Sequence, residues 1–90
     1  MWKTFLIVGF WLGLTACQSP KRYQSFTPGE LWLDDKNVHI NAHGGGILFE
    51  NGRYYWFGEH KTAGDGGNKA NVGVHCYSSG DLYNWKDEGV

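Results

Sequence analysis

Alternating apolar and polar residues in the second half of the chain predict a β-hairpin. Ile47 to Glu50 (ILFE) forms one predicted strand, and Arg53 to Glu59 (RYYWFGE) forms the return strand. Asn51-Gly52 lies between them. Asn-Gly between two β-rich segments favours a type I′ turn, because both central residues of that turn adopt positive φ.

The return strand is aromatic on both of its predicted faces. Successive side chains of a strand point to opposite faces, so this pattern indicates a strand that is packed on both sides. One face carries Tyr54, Trp56 and Gly58, and the other carries Tyr55, Phe57 and Glu59.

Further strands are predicted on either side of the hairpin. Asn71 to Ser78 is a third strand, with Val72, Val74 and Cys76 on one face, and Trp85 to Val90 is a fourth. Lys61 to Lys69 forms a glycine-rich loop before the third strand, and Ser79 to Asp81 forms a turn after it. Two short strands, Leu31 to Asp34 and Val38 to Asn41, are predicted upstream. The region shows no helical period, so the predicted fold class is all-β, in the pattern of one propeller blade.

The first 16 residues are typical of a signal peptide. Lys3 precedes the apolar run Phe5 to Leu14, which is shorter than the roughly 20 residues that a membrane-spanning helix needs. Leu14-Thr15-Ala16-Cys17 resembles a bacterial lipobox, so we expect Cys17 to be lipidated and to anchor the protein to a membrane of the bacterial cell envelope. The alternative is an ordinary secretory signal followed by a chance cysteine. Residues 17–28 form a predicted polar tether, and residues 29–90 form the predicted blade.

Composition narrows the function classes. The formal net charge is −1 and no basic patch is present, so we predict no nucleic-acid partner. If Cys17 carries lipid, Cys76 has no partner for a disulfide, and its strand position predicts a buried, inert thiol. A core of this size is marginal, and the 14 glycines increase the entropy lost on folding.

His43-Gly44-Gly45-Gly46 invites two interpretations that its context disfavours. The HGGG loop of esterases precedes a helix and accompanies a Gly-x-Ser-x-Gly elbow, whereas this one precedes a strand and no such elbow is present. His39 and His43 have the spacing of zinc ligands on a helix, but no helix is compatible with three consecutive glycines. We therefore predict no metal site here.

The hairpin instead predicts a polar cluster at one end of the sheet. The start of the first strand lies beside the end of the second, which places His43 to Gly46 next to Glu59 and His60, with Asn41 nearby. Glycines there would let a ligand approach the backbone closely. Hydrogen-bonding groups with aromatic residues nearby are what a sugar site requires. The alternative is structural, with Glu59 as a solvated strand-end residue and His43 as a turn cap.

Three segments resemble the opening of glycoside hydrolase family 43, and the nearest branch is that of the exo-β-1,3-galactanases and related galactosidases. The similar segments are Trp32-Leu33-Asp34, Ile40 to Leu48 (INAHGGGIL) and Tyr54 to Glu59 (YYWFGE). The dispersed element Ser79-x-Asp81-Leu82-x-x-Trp85 is also similar. The resemblance covers most of the chain from about Pro28 onward.

The resemblance implies a five-bladed β-propeller, of which these residues supply only the first blade of four antiparallel strands. It implies hydrolysis of β-galactosidic bonds in polysaccharide with inversion, and arabinosyl or xylosyl bonds are the alternative substrates. Inversion needs a general acid and a general base. The family's usual base would align near Gly44, where this chain has no aspartate, as in the galactanase branch. The general acid is expected beyond Val90, so no catalytic residue is assigned.

The candidate substrate-binding residues are His43, Gly44, Gly45, Glu59 and, more weakly, Trp56. We predict no cofactor, since the loop Gly64 to Asn68 lacks the ligand spacing of a calcium site, and a structural calcium is left open for a full-length parent. The expected partner is an oligo- or polysaccharide, and we expect the 90 residues alone to be inactive. The alternative is a non-catalytic carbohydrate-binding lipoprotein or a decayed gene remnant.

The lipoprotein hypothesis makes a direct prediction. Cys17→Ala should abolish lipid labelling of the chain in a bacterial host, because the thiol is the atom that would carry the lipid. Metabolic labelling with a fatty-acid analogue measures this. Labelling that persists in the variant would contradict the hypothesis.

Overall fold

A computed structural model describes residues 19–90, which form one antiparallel sheet with its four strands in sequence order. The strands are β1 (His43–Glu50), β2 (Arg53–Lys61), β3 (Asn71–Ser79) and β4 (Lys86–Gly89). The all-β prediction and its four-stranded blade are confirmed. The predicted signal peptide and Cys17 lie outside the described residues. Within residues 19–90, none of the helical segments has the length and apolar character needed to cross a bilayer.

The central hairpin forms as predicted, but it is longer. Asn51 and Gly52 have φ values of 50° and 78°, as a type I′ turn requires. β1 begins at His43 rather than Ile47, and a register shift between His43 and Gly46 marks a bulge. The three glycines therefore belong to the strand, and at Gly45 the backbone approaches Phe57 of the neighbouring strand too closely for a side chain.

The two short upstream strands pair as predicted only at one point and do not form extended strands. Leu33 and His39 form a single isolated bridge, and the chain between them is a tight turn with Asn37 at a φ of 58°. The buried Asp34 carboxylate stabilises this turn by accepting hydrogen bonds from the N–H groups of Lys36 and Val38, at 2.8 and 3.1 Å. The side chain of Asp34 thus satisfies backbone donors that a strand would have paired with another strand.

The glycine-rich loop after β2 contains one short regular element. Gly67–Ala70 forms a single turn of 3₁₀ helix immediately before β3. The composition of this segment predicts only loop, so the short helix is a feature that the sequence pattern missed.

The core is an aromatic cluster on one face of the sheet. The ring of Trp56 lies 5.3 Å from Trp85, 5.6 Å from Trp32 and 6.3 Å from Tyr77, measured between centroids. Tyr77 and Trp85 are buried. Trp32 belongs to the segment before β1, so this segment covers the sheet face and supplies much of its apolar burial.

The segment predicted as a tether contacts the blade. Tyr23 is buried, its N–H donates to Asn84 Oδ1 at 2.7 Å, and its carbonyl accepts from Asn84 Nδ2 at 2.8 Å. The Tyr23 hydroxyl accepts a hydrogen bond from the Leu33 N–H at 2.9 Å. These contacts fix the path of the chain as it enters the fold.

The opposite face of the sheet is open, in contrast to the two-sided packing expected for β2. Leu48, Phe57 and Val74 are 51%, 42% and 61% exposed. Cys76 shares this face and is half-buried rather than buried. Burial and the nearby Glu88 charge raise the pKa of its thiol, which keeps it in the unreactive protonated form.

The turn between β3 and β4 is built around Asp81. Its carboxylate accepts hydrogen bonds from the N–H groups of Tyr83 and Asn84, at 2.9 and 2.8 Å, and from the Asn84 side-chain amide at 2.8 Å. Partial burial on its own would raise the pKa of Asp81, but these bonds, together with the Ser79 hydroxyl, lower it from 3.8 to about 2.

Gly45→Ala should destabilise the blade strongly. A methyl group at Gly45 would overlap the backbone of Phe57 in the neighbouring strand, and neither strand can shift without breaking the ladder. We expect a loss on the order of 3 kcal/mol in the free energy of unfolding, as for other overpacked sites. Thermal or urea unfolding followed by tryptophan fluorescence measures it.

Gly46→Ala is the matched control. A methyl group there meets nothing within 4 Å, so its effect should be close to neutral. Equal stability of the two variants would contradict the close approach at Gly45.

Asp81→Ala should lower the melting temperature at neutral pH and flatten the acid dependence of stability. Because the folded-state pKa lies below the ordinary value, the carboxylate stabilises the fold above about pH 4 and loses this effect as the pH falls through about 2. Melting curves over this range measure the slope. Asp65→Ala, in an exposed loop, is the control, and a parallel pH profile for wild type and Asp81→Ala would refute the assignment.

Candidate functional site

The start of β1 and the end of β2 meet at one end of the sheet. His43 lies opposite Glu59 in the ladder, while the Asn51-Gly52 turn lies at the other end. Asn41 extends this end beyond the strands. Its side chain accepts from the N–H of Lys61 at 2.9 Å and donates to the Lys61 carbonyl at 2.8 Å. The structure therefore brings together the polar residues that the hairpin geometry predicted to gather.

Glu59 remains available for a ligand at this end. Its carboxylate lies 3.6 Å from the Lys61 ammonium group, and the Glu59 side chain is 46% exposed. An ion pair this accessible to water contributes little to stability. The carboxylate can therefore exchange its contact with Lys61 for a hydrogen bond to a ligand.

The two candidate glycines have different surroundings. Gly44 has a φ of +61° and open space where a side chain would lie, so its backbone is accessible to a ligand. Gly45 faces the backbone of Phe57, and its lack of a side chain serves the packing of β1 on β2. Gly58, on β2, similarly faces the backbone of Ala42.

Trp56 lies in the aromatic cluster, away from this end. It is packed against Trp32 and Trp85, and it does not line the cavity described next. The structure thus separates Trp56 from His43 and Glu59, and its ring is engaged in the core.

A cavity of about 730 Å³ opens beside this end of the sheet. It lies between the strands, the segment before β1 and the loop that follows β2. Glu59 does not line it. The side chains that can form hydrogen bonds in its lining are Asp34, His39, Asn41, His43, His60, Lys61, Thr62, His75, Tyr77 and Asp87.

A chain of hydrogen bonds runs along the wall of this cavity. His75 Nε2 lies 2.6 Å from Asp87 Oδ1, and His75 Nδ1 lies 3.0 Å from His60 Nδ1 and 3.1 Å from the Tyr77 hydroxyl. The Tyr77 hydroxyl accepts from the N–H of Asn41 at 3.0 Å. The network joins β2, β3, β4 and the segment before β1.

Burial and charge set the protonation of this network. Burial raises the pKa of Tyr77, which keeps its hydroxyl protonated. Partial burial would also raise the pKa of Asp87, but hydrogen bonds from His75 and the Gly89 N–H, with the charges of His75 and Lys36, hold it below its usual range. Asp87 is therefore a carboxylate at neutral pH.

The donor set does not form a metal centre. No three His, Cys, Asp or Glu side chains among residues 19–90 converge in a way that would hold an ion.

Three lining residues, His75, Tyr77 and Asp87, were not identified from the sequence. The alternation of β3 puts His75 and Tyr77 on one face, opposite the face of Val74 and Cys76, and this signal was available. The position of Asp87 depends on a register shift between Cys76 and Tyr77 in the pairing of β3 with β4. A sequence pattern does not encode such a shift.

The fold is similar to that of solved glycosidases. A β-1,3-galactosidase of family GH43, solved with galactodeoxynojirimycin, is 55% identical over 69% of this chain, with a TM-score of 0.60. A second GH43 β-1,3-galactosidase is 46% identical over 77% of this chain, with a TM-score of 0.68. The exo-β-1,3-galactanase 1,3Gal43A from Clostridium thermocellum is 38% identical over 71%, with a TM-score of 0.61.

These matches cover a small part of each relative. The chain corresponds to 17%, 14% and 13% of the three solved chains. A scan against protein-family models and a search of curated proteins gave no match. With identities of 38% to 55% over a shared four-stranded sheet, the chain belongs to glycoside hydrolase family 43, in the group of β-1,3-galactosidases and galactanases, and represents one blade of that family's propeller.

Proposed function

We propose that the chain supplies the first blade of a glycosidase that cleaves β-galactosidic bonds in polysaccharide with inversion. The observation that carries this proposal is the identity of 55% to a β-1,3-galactosidase solved with galactodeoxynojirimycin. Arabinosyl and xylosyl bonds are the alternative substrates. The substrate end is the one where β1 begins, because its accessible backbone and polar side chains fit the hydroxyl groups of a sugar.

His43, Gly44 and Glu59 are the proposed sugar-contacting groups. Glu59 is exposed and only loosely paired with Lys61, and Gly44 leaves its backbone accessible. Gly45 acts indirectly by letting β1 approach β2. Trp56 would act through the core rather than by stacking on a sugar, since its neighbours are other aromatic rings.

Catalysis requires residues from outside this chain. Inversion uses two carboxyl groups separated by roughly 6.5–9.5 Å, with a water between them and the sugar. Glu59 is one carboxylate at this end, and Asp87 is engaged with His75. We therefore assign the general acid to a later blade and expect no turnover by the 90-residue chain.

The open sheet face supports the same proposal. Leu48, Phe57 and Val74 form an exposed apolar surface of the kind that marks an interaction site. In a propeller, such a face packs on the neighbouring blade. A full-length protein would thereby bury the face that this blade leaves open.

We further propose that the protein is anchored in the bacterial cell envelope by lipid on Cys17. Its partners would then be the membrane and an extracytoplasmic polysaccharide. The second candidate function is a carbohydrate-binding lipoprotein without catalysis, or a gene remnant.

The binding and catalytic parts of this proposal are tested separately. The 90-residue chain should bind β-1,3-galactobiose weakly without hydrolysing it, and Glu59→Gln should weaken binding roughly tenfold by removing a charged acceptor. Calorimetry or NMR titration measures the affinity. Glu50→Gln, at the other end of β1, is the control and should bind like the wild type.

The reading frame beyond Val90 separates the two candidate functions. If it encodes further blades, the longer protein should release galactose with inverted anomeric configuration, which NMR detects directly. Hydrolysis by the 90-residue chain would contradict the proposal. A frame that stops at Val90, with binding intact, would favour the non-catalytic alternative.

A further inference from the structure

All four histidines of the chain line the same cavity, and two of them are in direct contact. The Nδ1 atoms of His60 and His75 are 3.0 Å apart, and the ring centroids are 5.0 Å apart. The two imidazoles therefore meet edge to edge, as in a hydrogen bond. The rings of His75 and Tyr77 are also stacked, with their centroids 4.1 Å apart, and the tyrosine hydroxyl lies 3.1 Å from His75 Nδ1.

This geometry dictates where the protons lie. His75 Nε2 donates to the Asp87 carboxylate across 2.6 Å, a length typical of a charge-assisted hydrogen bond. Only one proton fits between the two Nδ1 atoms, because two would oppose each other. With His75 neutral, its Nδ1 is an acceptor that the Tyr77 hydroxyl and His60 both approach, and a proton on His60 Nδ1 makes the His60 contact a hydrogen bond. The chain of donors then runs from His60 through His75 to Asp87.

The His60 end of this series of hydrogen bonds indicates a ligand site. No side-chain nitrogen or oxygen that is buried within residues 19–90 lacks a hydrogen-bond partner. His60 Nε2 forms no hydrogen bond with these residues, so it is not fully buried, and His60 is one of the residues that line the cavity. Protonation of Nε2 leaves both hydrogen bonds of the chain intact and turns this atom from an acceptor into a donor. A sugar hydroxyl, which both donates and accepts, matches either state.

We propose that His60 contacts the sugar through Nε2, and that His75 and Asp87 are positioning residues that hold the His60 ring. This inference rests on the proposed sugar-binding function and adds a second contact surface to it, on the cavity side of β2. Glu59 and His60 are neighbours on one strand, so their side chains project to opposite faces. The end of β2 would therefore present the Glu59 carboxylate on one face of the sheet and the His60 imidazole on the other.

The charged and titratable groups that face this series of hydrogen bonds lie on β3, on β4 and on the segment before β1. Asp87 lies on β4, and the Lys36 ammonium group of the preceding segment is 3.5 Å from its carboxylate. Tyr77 lies on β3, with Asn41 donating to its hydroxyl, and Asp34 lines the same cavity. Asp87 is the carboxylate that contacts the imidazole chain directly. Its removal would take away the acceptor that fixes the proton of His75 on Nε2.

Long-range ¹H–¹⁵N NMR of the histidine rings in the intact protein tests whether His75 and Asp87 position the His60 ring. We expect neutral His60 to carry its proton on Nδ1 and His75 on Nε2. Asp87→Ala removes the acceptor of the His75 Nε2 proton and should let the two rings exchange tautomers, so that His60 is no longer held with its proton on Nδ1, whereas Asp65→Ala should leave both tautomers unchanged. A neutral His60 protonated on Nε2 in the wild type, or unchanged tautomers in Asp87→Ala, would overturn the positioning role.

Titration with β-1,3-galactobiose tests whether His60 contacts the sugar. His60→Gln should weaken binding roughly fivefold to tenfold, as loss of one ligand hydrogen bond does. His39→Gln, which alters another histidine of the cavity outside the chain of bonds, should bind like the wild type. Binding that survives His60→Gln but falls in Glu59→Gln would overturn this inference and leave the proposed function standing. Absence of binding by the wild type would overturn both.

Discussion

The buried side chain of Tyr77 is the contact on which both the core and the cavity depend. It has no solvent exposure, its ring packs 6.3 Å from Trp56, and its hydroxyl accepts the N–H of Asn41. Burying a hydroxyl without a partner would be costly, so the path of the Asn41 segment is fixed by this bond. Asn41 in turn binds the backbone of Lys61 at the end of β2. One side chain thus links the apolar cluster to the end of the sheet where ligand contacts are proposed.

Local signals made the hairpin and the four strands predictable. Asn51-Gly52 fixes a turn type by its backbone preferences, and the alternation around it fixes the faces of β2. The short upstream strands pair only at one point, because the Asp34 side chain satisfies backbone donors that a strand pairs with another strand. The contact of His75 with Asp87 could not be predicted from the sequence, since it depends on a bulge in the pairing of β3 with β4. Local propensity therefore specifies the elements, and long-range register specifies the site.

The His43 to Gly46 motif illustrates how one sequence feature serves several physical needs. Gly44 adopts positive φ, which few other residues do without strain. Gly45 lacks room for a side chain against Phe57, whereas Gly46 has open space. An oxyanion loop would need these glycines to free backbone donors at the start of a helix. Here they bend β1 into its bulge, and this bend places His43 opposite Glu59.

One face of the sheet changes from apolar to polar along its strands. On β2, this face carries Trp56, then Gly58, then His60, and their partners on β3 are Tyr77, His75 and Gly73. Gly58 is buried, and a side chain there would overlap the backbone of Ala42. Because Gly58 has no side chain, the segment before β1 can lie directly on the sheet between the apolar part of this face and its polar part. Asn41 can then reach both Tyr77 and Lys61, so the packing that completes the core also forms the wall of the cavity.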